Sequence, residues 1–189
     1  MKKQFLIILF VLFTSYCGIS QTIFEQYANS DDVTLVSISP KMFKMLGQMS
    51  ISVDDPEAQE FLEMVTQINN FKVLICSKEE ISKEMLTWVN NEVKKNNLEQ
   101  LMSVKDAEAD VNFYVKEGSK ENYVEQLLMF VNEKKQTTGN GNNLNINGRQ
   151  IESILLLLEG NIDLNQISKL TDKMDLPGGK QLKKAQKIN

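Results

Sequence analysis

The chain has 189 residues, of which 42% are hydrophobic and 24% are charged, and its formal net charge at pH 7 is −4. This length and composition are ordinary for a globular protein that buries its own core. The acidic balance argues against nucleic acid as a partner, because nucleic-acid binding depends on basic surface. The chain has no histidine, which removes the commonest general base, the commonest metal ligand and every Ser–His or Cys–His arrangement.

The N-terminal segment, residues 1–20, has the composition of a secretory signal peptide. Residues 2–3 are lysines, residues 5–13 are an unbroken apolar run, and Gly18 and Ser20 are small residues where a signal peptidase cuts. The apolar run is too short for a membrane-spanning helix, and no stop-transfer run follows it. We therefore expect an exported protein, periplasmic or secreted, with no transmembrane segment after cleavage.

The two cysteines have different expected roles. Cys17 leaves lipid anchoring as an alternative localisation, although Tyr16 occupies the position where a lipoprotein signal has a small residue. Cleavage near Ser20 leaves Cys76 as the one cysteine of the mature chain, so no internal disulfide can form. Because Cys76 follows an apolar run, we expect a small buried core residue. A reactive or intermolecular thiol is the alternative.

The first part of the mature chain is predicted to contain a strand between helical segments. Residues 21–32 are expected to be an N-terminal arm or a short amphipathic helix. Residues 33–38 are β-branched and apolar, which indicates a strand. Ser39 and Pro40 then mark a helix start, because serine caps free N–H groups and proline is tolerated in the first turn. Residues 55–56, Asp-Pro, repeat this signal before a second helix.

A second strand, over residues 71–76, precedes the clearest helix of the chain. Residues 77–80 read Ser-Lys-Glu-Glu, which is a capping-box pattern. Acidic residues at the start and lysines at the end of this helix match its dipole. Its apolar stripe consists of Ile81, Met85, Trp88 and Val89, with Val93 as a further candidate.

Beyond that helix the hydrophobic period changes from 3.6 to 2. Residues 98–104 and 110–117 are predicted to form an antiparallel hairpin with one wet face. Residues 123–132 fit both a helix and a strand, and we favour a strand because it leads into a hairpin-like insert. The insert, residues 133–149, is rich in Asn and Gly, which indicates a long loop. Residues 151–159 form an apolar strand that we expect to be central and covered on both faces.

The C-terminal part is predicted to leave the sheet. Gly160 is expected to end the last strand, and Asp163 to cap a helix that continues to residue 176. Residues 177–189 form a basic tail, which is either a frayed terminus or a contact for acidic partners or anionic lipid. The candidate contact residues are Lys180, Lys183, Lys184 and Lys187.

The predicted order of elements defines one α+β domain over residues 33–176. Two helical connections come first and a run of strands follows. We therefore expect a single mixed, mostly antiparallel sheet of about six strands, with helices packed on one face.

Four stretches of the sequence resemble the family called domain of unknown function 4252 (DUF4252): residues 24–28, 36–43, 72–76 and 157–164. The insert at residues 136–148 looks longer than the usual hairpin of that family. The resemblance implies a small exported protein of Bacteroidota and supplies no catalytic residues, because the family has no established activity. It also points to envelope signalling, because such genes often lie beside genes for extracytoplasmic sigma factors.

Carboxylates are the remaining acid–base groups. Residues 54–55 and 79–80 lie where helix starts favour acids, and Glu108 and Asp110 border a predicted turn, so capping and turn formation explain them. The nearest approach to a calcium loop, which helix capping also explains, is Asn161, Asp163 and Asn165. We therefore predict no catalytic, cofactor-binding or metal-binding residues, and expect that the protein is not an enzyme.

Methionines recur in the first predicted helix, at Met42, Met45 and Met49. Flexible thioethers suit an adaptable partner surface or a soft metal. Packing of an amphipathic helix in the core is the interpretation we prefer.

The sequence leads to two main hypotheses for function, and a hydrolase that uses paired carboxylates is a third alternative. The first is an exported, non-enzymatic protein that binds another component of the cell envelope, in envelope signalling. The alternative is a small-ligand carrier with an apolar pocket between sheet and helices. The sequence leaves the oligomeric state open.

Overall fold

The computed structural model describes residues 22–49, 56–105, 109–134, 145–146 and 149–164. Its helices are α1 (Ile23–Gln26), α2 (Pro40–Met49), α3 (Pro56–Thr66) and α4 (Glu79–Lys95). Its strands are β1 (Val33–Ile38), β2 (Ile68–Cys76), β3 (Glu99–Lys105), β4 (Ala109–Glu117), β5 (Tyr123–Glu133), β6 (Asn145–Ile146), β7 (Arg149–Gln150) and β8 (Ser153–Asp163).

Six strands form one open sheet in the order β1-β2-β8-β5-β4-β3, while β6 and β7 form a separate ribbon. Every neighbouring pair in the large sheet is antiparallel. The prediction of an α+β fold with a six-stranded, mostly antiparallel sheet is thereby confirmed. The ambiguous segment 123–132 is a strand, as preferred, and lies within β5. The predicted arm or short helix contains the helix α1.

The strand β8 lies in the middle of the sheet, between β2 and β5, and carries apolar side chains on both faces. Side chains alternate along a strand, so Ile154, Leu156 and Leu158 face one side and Leu155 and Leu157 the other. None of the five is more than 7% exposed. They divide the interior into two cores. The first core surrounds Ile154, Leu156 and Leu158, and the second core surrounds Leu155 and Leu157.

Helices cover both faces of the sheet. Phe43 of α2 and Val65 of α3 are buried in the first core. Phe24 of α1, together with Met85 and Val89 of α4, is buried in the second core. The prediction that helices pack on one face is therefore wrong. The physical reason is that a strand with apolar residues on both faces must be shielded from water on both.

The starts of α2 and α4 are set in different ways. The Met42 N–H donates to Oγ of Ser39 at 3.4 Å, which confirms the predicted serine cap. The predicted capping box of α4 is wrong, because the N-cap residue is Lys78 and no side chain caps the helix. The N–H of Ser77 instead donates to the carbonyl of Asp32 at 3.2 Å, which extends the pairing of β1 with β2.

Gly160 lies within β8 and does not end it, in contrast to the prediction. Its φ is +152°, and a Cβ at this position would collide with the carbonyl oxygen of Gln67. The register of the β2–β8 pair shifts here, between Ile68 and Asn70. The neighbouring N–H of Asn161 donates to the Gln67 carbonyl at 3.2 Å. A glycine is therefore required where the turn after α3 crosses close to β8.

We expect Gly160→Ala to lower the free energy of unfolding by about 2–4 kcal/mol, because the new Cβ meets backbone at a φ that side chains disfavour. Urea unfolding followed by circular dichroism measures this change. The matched control is Asn161→Ala, which keeps the main-chain bond to Gln67 and should stay within about 0.5 kcal/mol of the parent. Equal stability of Gly160→Ala and the parent protein would contradict the close approach.

Candidate functional site

Several predicted features lie outside the described residues. These are the signal segment 1–20 with Cys17, the acids Asp54, Asp55 and Glu108, Asn165 with the rest of the C-terminal helix, and the tail lysines Lys180, Lys183, Lys184 and Lys187.

The predicted acidic residues within the described part, Glu79, Glu80 and Asp110, have structural roles. Glu79 and Glu80 lie in the first turn of α4, whose last turn contains Lys94 and Lys95, as the helix dipole favours. Oδ1 of Asp110 lies 2.8 Å from Nζ of Lys134. Among the described residues, no group of three His, Cys, Asp or Glu side chains is placed to hold a metal ion.

Two of the three residues that come nearest to a calcium loop in the sequence, Asn161 and Asp163, lie in β8. Asn161 is exposed, and its main chain bonds to Gln67 across the turn. Asp163 is the last residue of β8 and is paired with Tyr123 of β5. Both positions are thus explained by the local chain path beside Gly160.

Cys76 is a core residue, as predicted. Its side chain is 0% exposed and lies in the second core. The thiol donates to the carbonyl of Lys78 at 3.1 Å, and the Lys78 N–H donates to Sγ at 3.2 Å. Burial raises the pKa of the Cys76 thiol above its ordinary value, so the protonated form is favoured.

Two of the clefts lined by described residues carry mostly polar side chains. The first, of about 320 Å³, lies between the start of α4 and the ends of β5 and β8, with Leu86 as its hydrophobic side chain. The second, of about 460 Å³, lies beside Gly160. There, Nδ2 of Asn70 donates to Oε2 of Glu159 at 2.7 Å. Both differ from the apolar pocket, between sheet and helices, that a small-ligand carrier would contain.

Two methionines of α2, Met42 and Met45, are exposed. Met42 is 48% exposed and Met45 is 53% exposed, whereas Phe43 is 2% exposed. Phe43 and Leu46, also one turn apart, form the side of α2 that packs on the first core. The preferred prediction, core packing, is therefore wrong for Met42 and Met45. The side chain of Met49 lies outside the described residues.

The rotation of α2 is fixed by its close approach to α3. Gly47 lies one turn after Phe43, and a Cβ there would collide with Cγ2 of Thr66. The side of α2 that carries Phe43 and Gly47 is therefore the side that meets α3 and the sheet. This rotation leaves the neighbouring stripe of Met42 and Met45 facing solvent.

Lysines alternate with these methionines along α2. Lys41 and Lys44 are both exposed. We name the set Lys41, Met42, Lys44 and Met45 the α2 surface. It combines two cationic groups with two flexible thioethers, a chemistry that complements an acidic surface containing apolar side chains.

The helix α1 and the residue after it, Tyr27, pack against α4. The rings of Phe24 and Trp88 meet edge-on, with centroids 5.7 Å apart. Gln26 and Tyr27 both donate hydrogen bonds to the carboxylate of Glu84. Partial burial, and then the hydrogen bond and charge of Glu84, raise the pKa of Tyr27 to about 12.

These observations define an α+β protein whose antiparallel sheet is covered by helices on both faces. The family model of DUF4252, a domain of unknown function, matches residues 27–170. The chain therefore belongs to the DUF4252 family, which confirms the resemblance found in the sequence. Searches of curated proteins and of solved structures gave no match. Within the described residues, no helix combines the length and the hydropathy needed to cross a membrane.

We expect Tyr27 to remain mostly protonated at about pH 11, where an ordinary phenol is mostly ionised. The change in absorbance that accompanies tyrosine ionisation, compared between the parent and Tyr27→Phe, measures this directly. Glu84→Gln should lower the pKa of Tyr27 toward 10.0, because the nearby negative charge is lost. Glu80→Gln, which changes another exposed acid of α4, should leave the pKa unchanged.

The same shift makes stability depend on pH. The pKa of Tyr27 is higher in the folded than in the unfolded protein. Its contribution to the free energy of unfolding is therefore fully present below about pH 10 and is lost as the pH rises toward 12. The free energy of unfolding of the parent, compared with that of Tyr27→Phe, should therefore fall over this range. A rise would contradict the hydrogen bond to Glu84.

Proposed function

We propose that this DUF4252 protein is an exported, non-enzymatic protein that binds another protein of the cell envelope through the α2 surface. The observation that carries the proposal is the exposure of Met42 and Met45, at 48% and 53%, on a helix whose neighbouring stripe packs on the first core. Envelope signalling is the biological context that we propose for this binding.

Physical chemistry favours a protein partner for the α2 surface. Large apolar side chains placed side by side on a helix are stabilised when another surface removes them from water. Methionine adapts its shape to the partner because its side chain is unbranched and flexible. The flanking Lys41 and Lys44 add a local positive charge to a chain with net charge −4. We therefore expect a partner segment that combines acidic and apolar side chains.

The sequence supports the exported and non-enzymatic parts of the proposal. Residues 2–3 and 5–13 have the charge and hydropathy of a signal peptide. A binding role is favoured over acid–base catalysis because histidine is absent from the sequence. The localisation that we propose is periplasmic or secreted, and lipid anchoring through Cys17 is the alternative.

Export is tested by isolating the protein from fractionated cells and measuring its intact mass and N-terminal sequence. We expect a mature chain that begins at Gln21 in the periplasmic or secreted fraction. A lipid-anchored form would begin at Cys17 and carry acyl groups. Recovery of the full-length chain from the cytosol alone would contradict export.

Binding through the α2 surface is tested by capture from envelope extracts with the immobilised protein. We expect the double variant Met42→Gln/Met45→Gln to retain at least tenfold less of a specific protein partner, a difference of about 1.4 kcal/mol in binding free energy. Lys41→Glu/Lys44→Glu should have a similar effect, because an acidic partner would be repelled.

The matched control is Leu86→Gln/Leu101→Gln, which removes two exposed hydrophobic side chains elsewhere. This variant should bind as the parent does. Absence of a specific partner, or equal binding by the α2 and control variants, would overturn the proposal.

A further inference from the structure

The two edges of the large sheet differ in how they are protected from pairing with another strand. At one edge, β3 has charged residues at both ends, Glu99 and Lys105, and its register shifts between Gln100 and Met102. Charges and bulges are the usual protection of an edge strand. At the other edge, β1 reads VTLVSI and pairs with β2 in continuous register. It contains no charge, proline or bulge.

The free main-chain groups of β1 follow from its pairing with β2. The Asp32 carbonyl accepts the N–H of Ser77 at 3.2 Å, so residue 32 directs its main chain toward β2. Direction alternates along an antiparallel strand. Leu35 and Ser37 therefore direct their N–H and C=O groups away from the sheet. Val33 has the same direction, but its N–H already donates to the Ser30 carbonyl at 3.2 Å.

We propose that β1 pairs with β1 of a second copy of this chain, antiparallel and about a two-fold axis at Val36. In this register Leu35 of each copy lies opposite Ser37 of the other. The N–H and C=O groups of these residues then form four hydrogen bonds between the copies, in the pattern of an antiparallel ladder. The inference is independent of the proposed function, because it uses the sheet edge and not the α2 surface.

Other centres of symmetry fit less well. An axis at Leu35 would place the Ser37 carbonyl of one copy opposite the Val33 N–H of the other, which is already bonded to Ser30. The register about Val36 uses every free group of Leu35 and Ser37. A second copy is therefore the partner whose main-chain groups match this edge, in an isologous contact.

The side chains of β1 agree with this register. Val36 is 40% exposed and lies opposite Val73 of the first core, so it shares that face of the sheet. At the two-fold axis, the two Val36 side chains form a non-hydrogen-bonded pair, in which side chains are closest. Thr34 then lies opposite Ile38 of the second copy. The absence of charge from β1 means that no like charges oppose each other.

The mass of the purified exported protein, measured by sedimentation equilibrium over a range of concentrations, tests the proposal. We expect a dimer, and a dissociation constant at least tenfold higher for Val36→Lys, which places two like charges together at the axis. Ser37→Pro should also weaken the dimer, because it removes two of the four hydrogen bonds; proline is tolerated on edge strands. Leu101→Lys, on the opposite edge, is the matched control and should dimerise as the parent does.

Cysteine cross-linking tests the register itself. Residues in a non-hydrogen-bonded pair have Cα atoms about 4.5 Å apart, which a disulfide can bridge. Val36→Cys should therefore give a covalent dimer under mild oxidation. In Thr34→Cys, the two cysteines lie four residues apart along the paired strands, a separation of about 13 Å. This variant should not form a covalent dimer. A single-chain mass for the parent at about 100 µM, equal cross-linking of both cysteine variants, or an undiminished Val36→Lys dimer would overturn the proposal.

Discussion

The burial of β8 on both faces is the constraint on which the rest of the structure depends. Residues 154–158 are five consecutive apolar side chains, and their burial stabilises the fold by about 1.5–3 kcal/mol each. A strand of this kind cannot lie on a sheet with a wet face, so each side needs its own layer of helices. The helices α2 and α3 cover the first core and α1 and α4 the second. Because each helix buries one side against its core, its other side is exposed to solvent.

The stretches that mark the family are explained largely by this architecture. Phe24 seals the second core against Trp88, and Gly160 allows the turn after α3 to cross β8. The strand that ends at Cys76 contributes to both cores. The exposed methionines of α2 have no such structural task, because Phe43 already supplies the buried contact of that helix. The structural role and the proposed interaction role therefore belong to neighbouring stripes of one short helix.

The strands were more predictable than the faces that the helices cover. A run of apolar residues at 154–158 indicates a strand buried on both sides, and alternation at 110–117 indicates a hairpin. Periodicity does not say which helix covers which side, so helices on both faces were not predicted. Along α2 the pairs Met42/Met45 and Phe43/Leu46 are equally apolar, and only the approach of Thr66 to Gly47 decides between them. The sequence predicts a strand end at Gly160 because a bulge and a strand end favour the same residue type, glycine.

The position of β8 has a consequence for how the chain reaches its native state. This strand comes last among those described, yet it lies between β2 and β5 and separates the two halves of the sheet. Asn70 and Glu159, which bond across β2 and β8, are 89 positions apart in the chain. Contacts of such long range are slow to form. A growing polypeptide would therefore hold two unjoined parts of the sheet, the pair β1–β2 and the three strands β3–β4–β5, until β8 was synthesised.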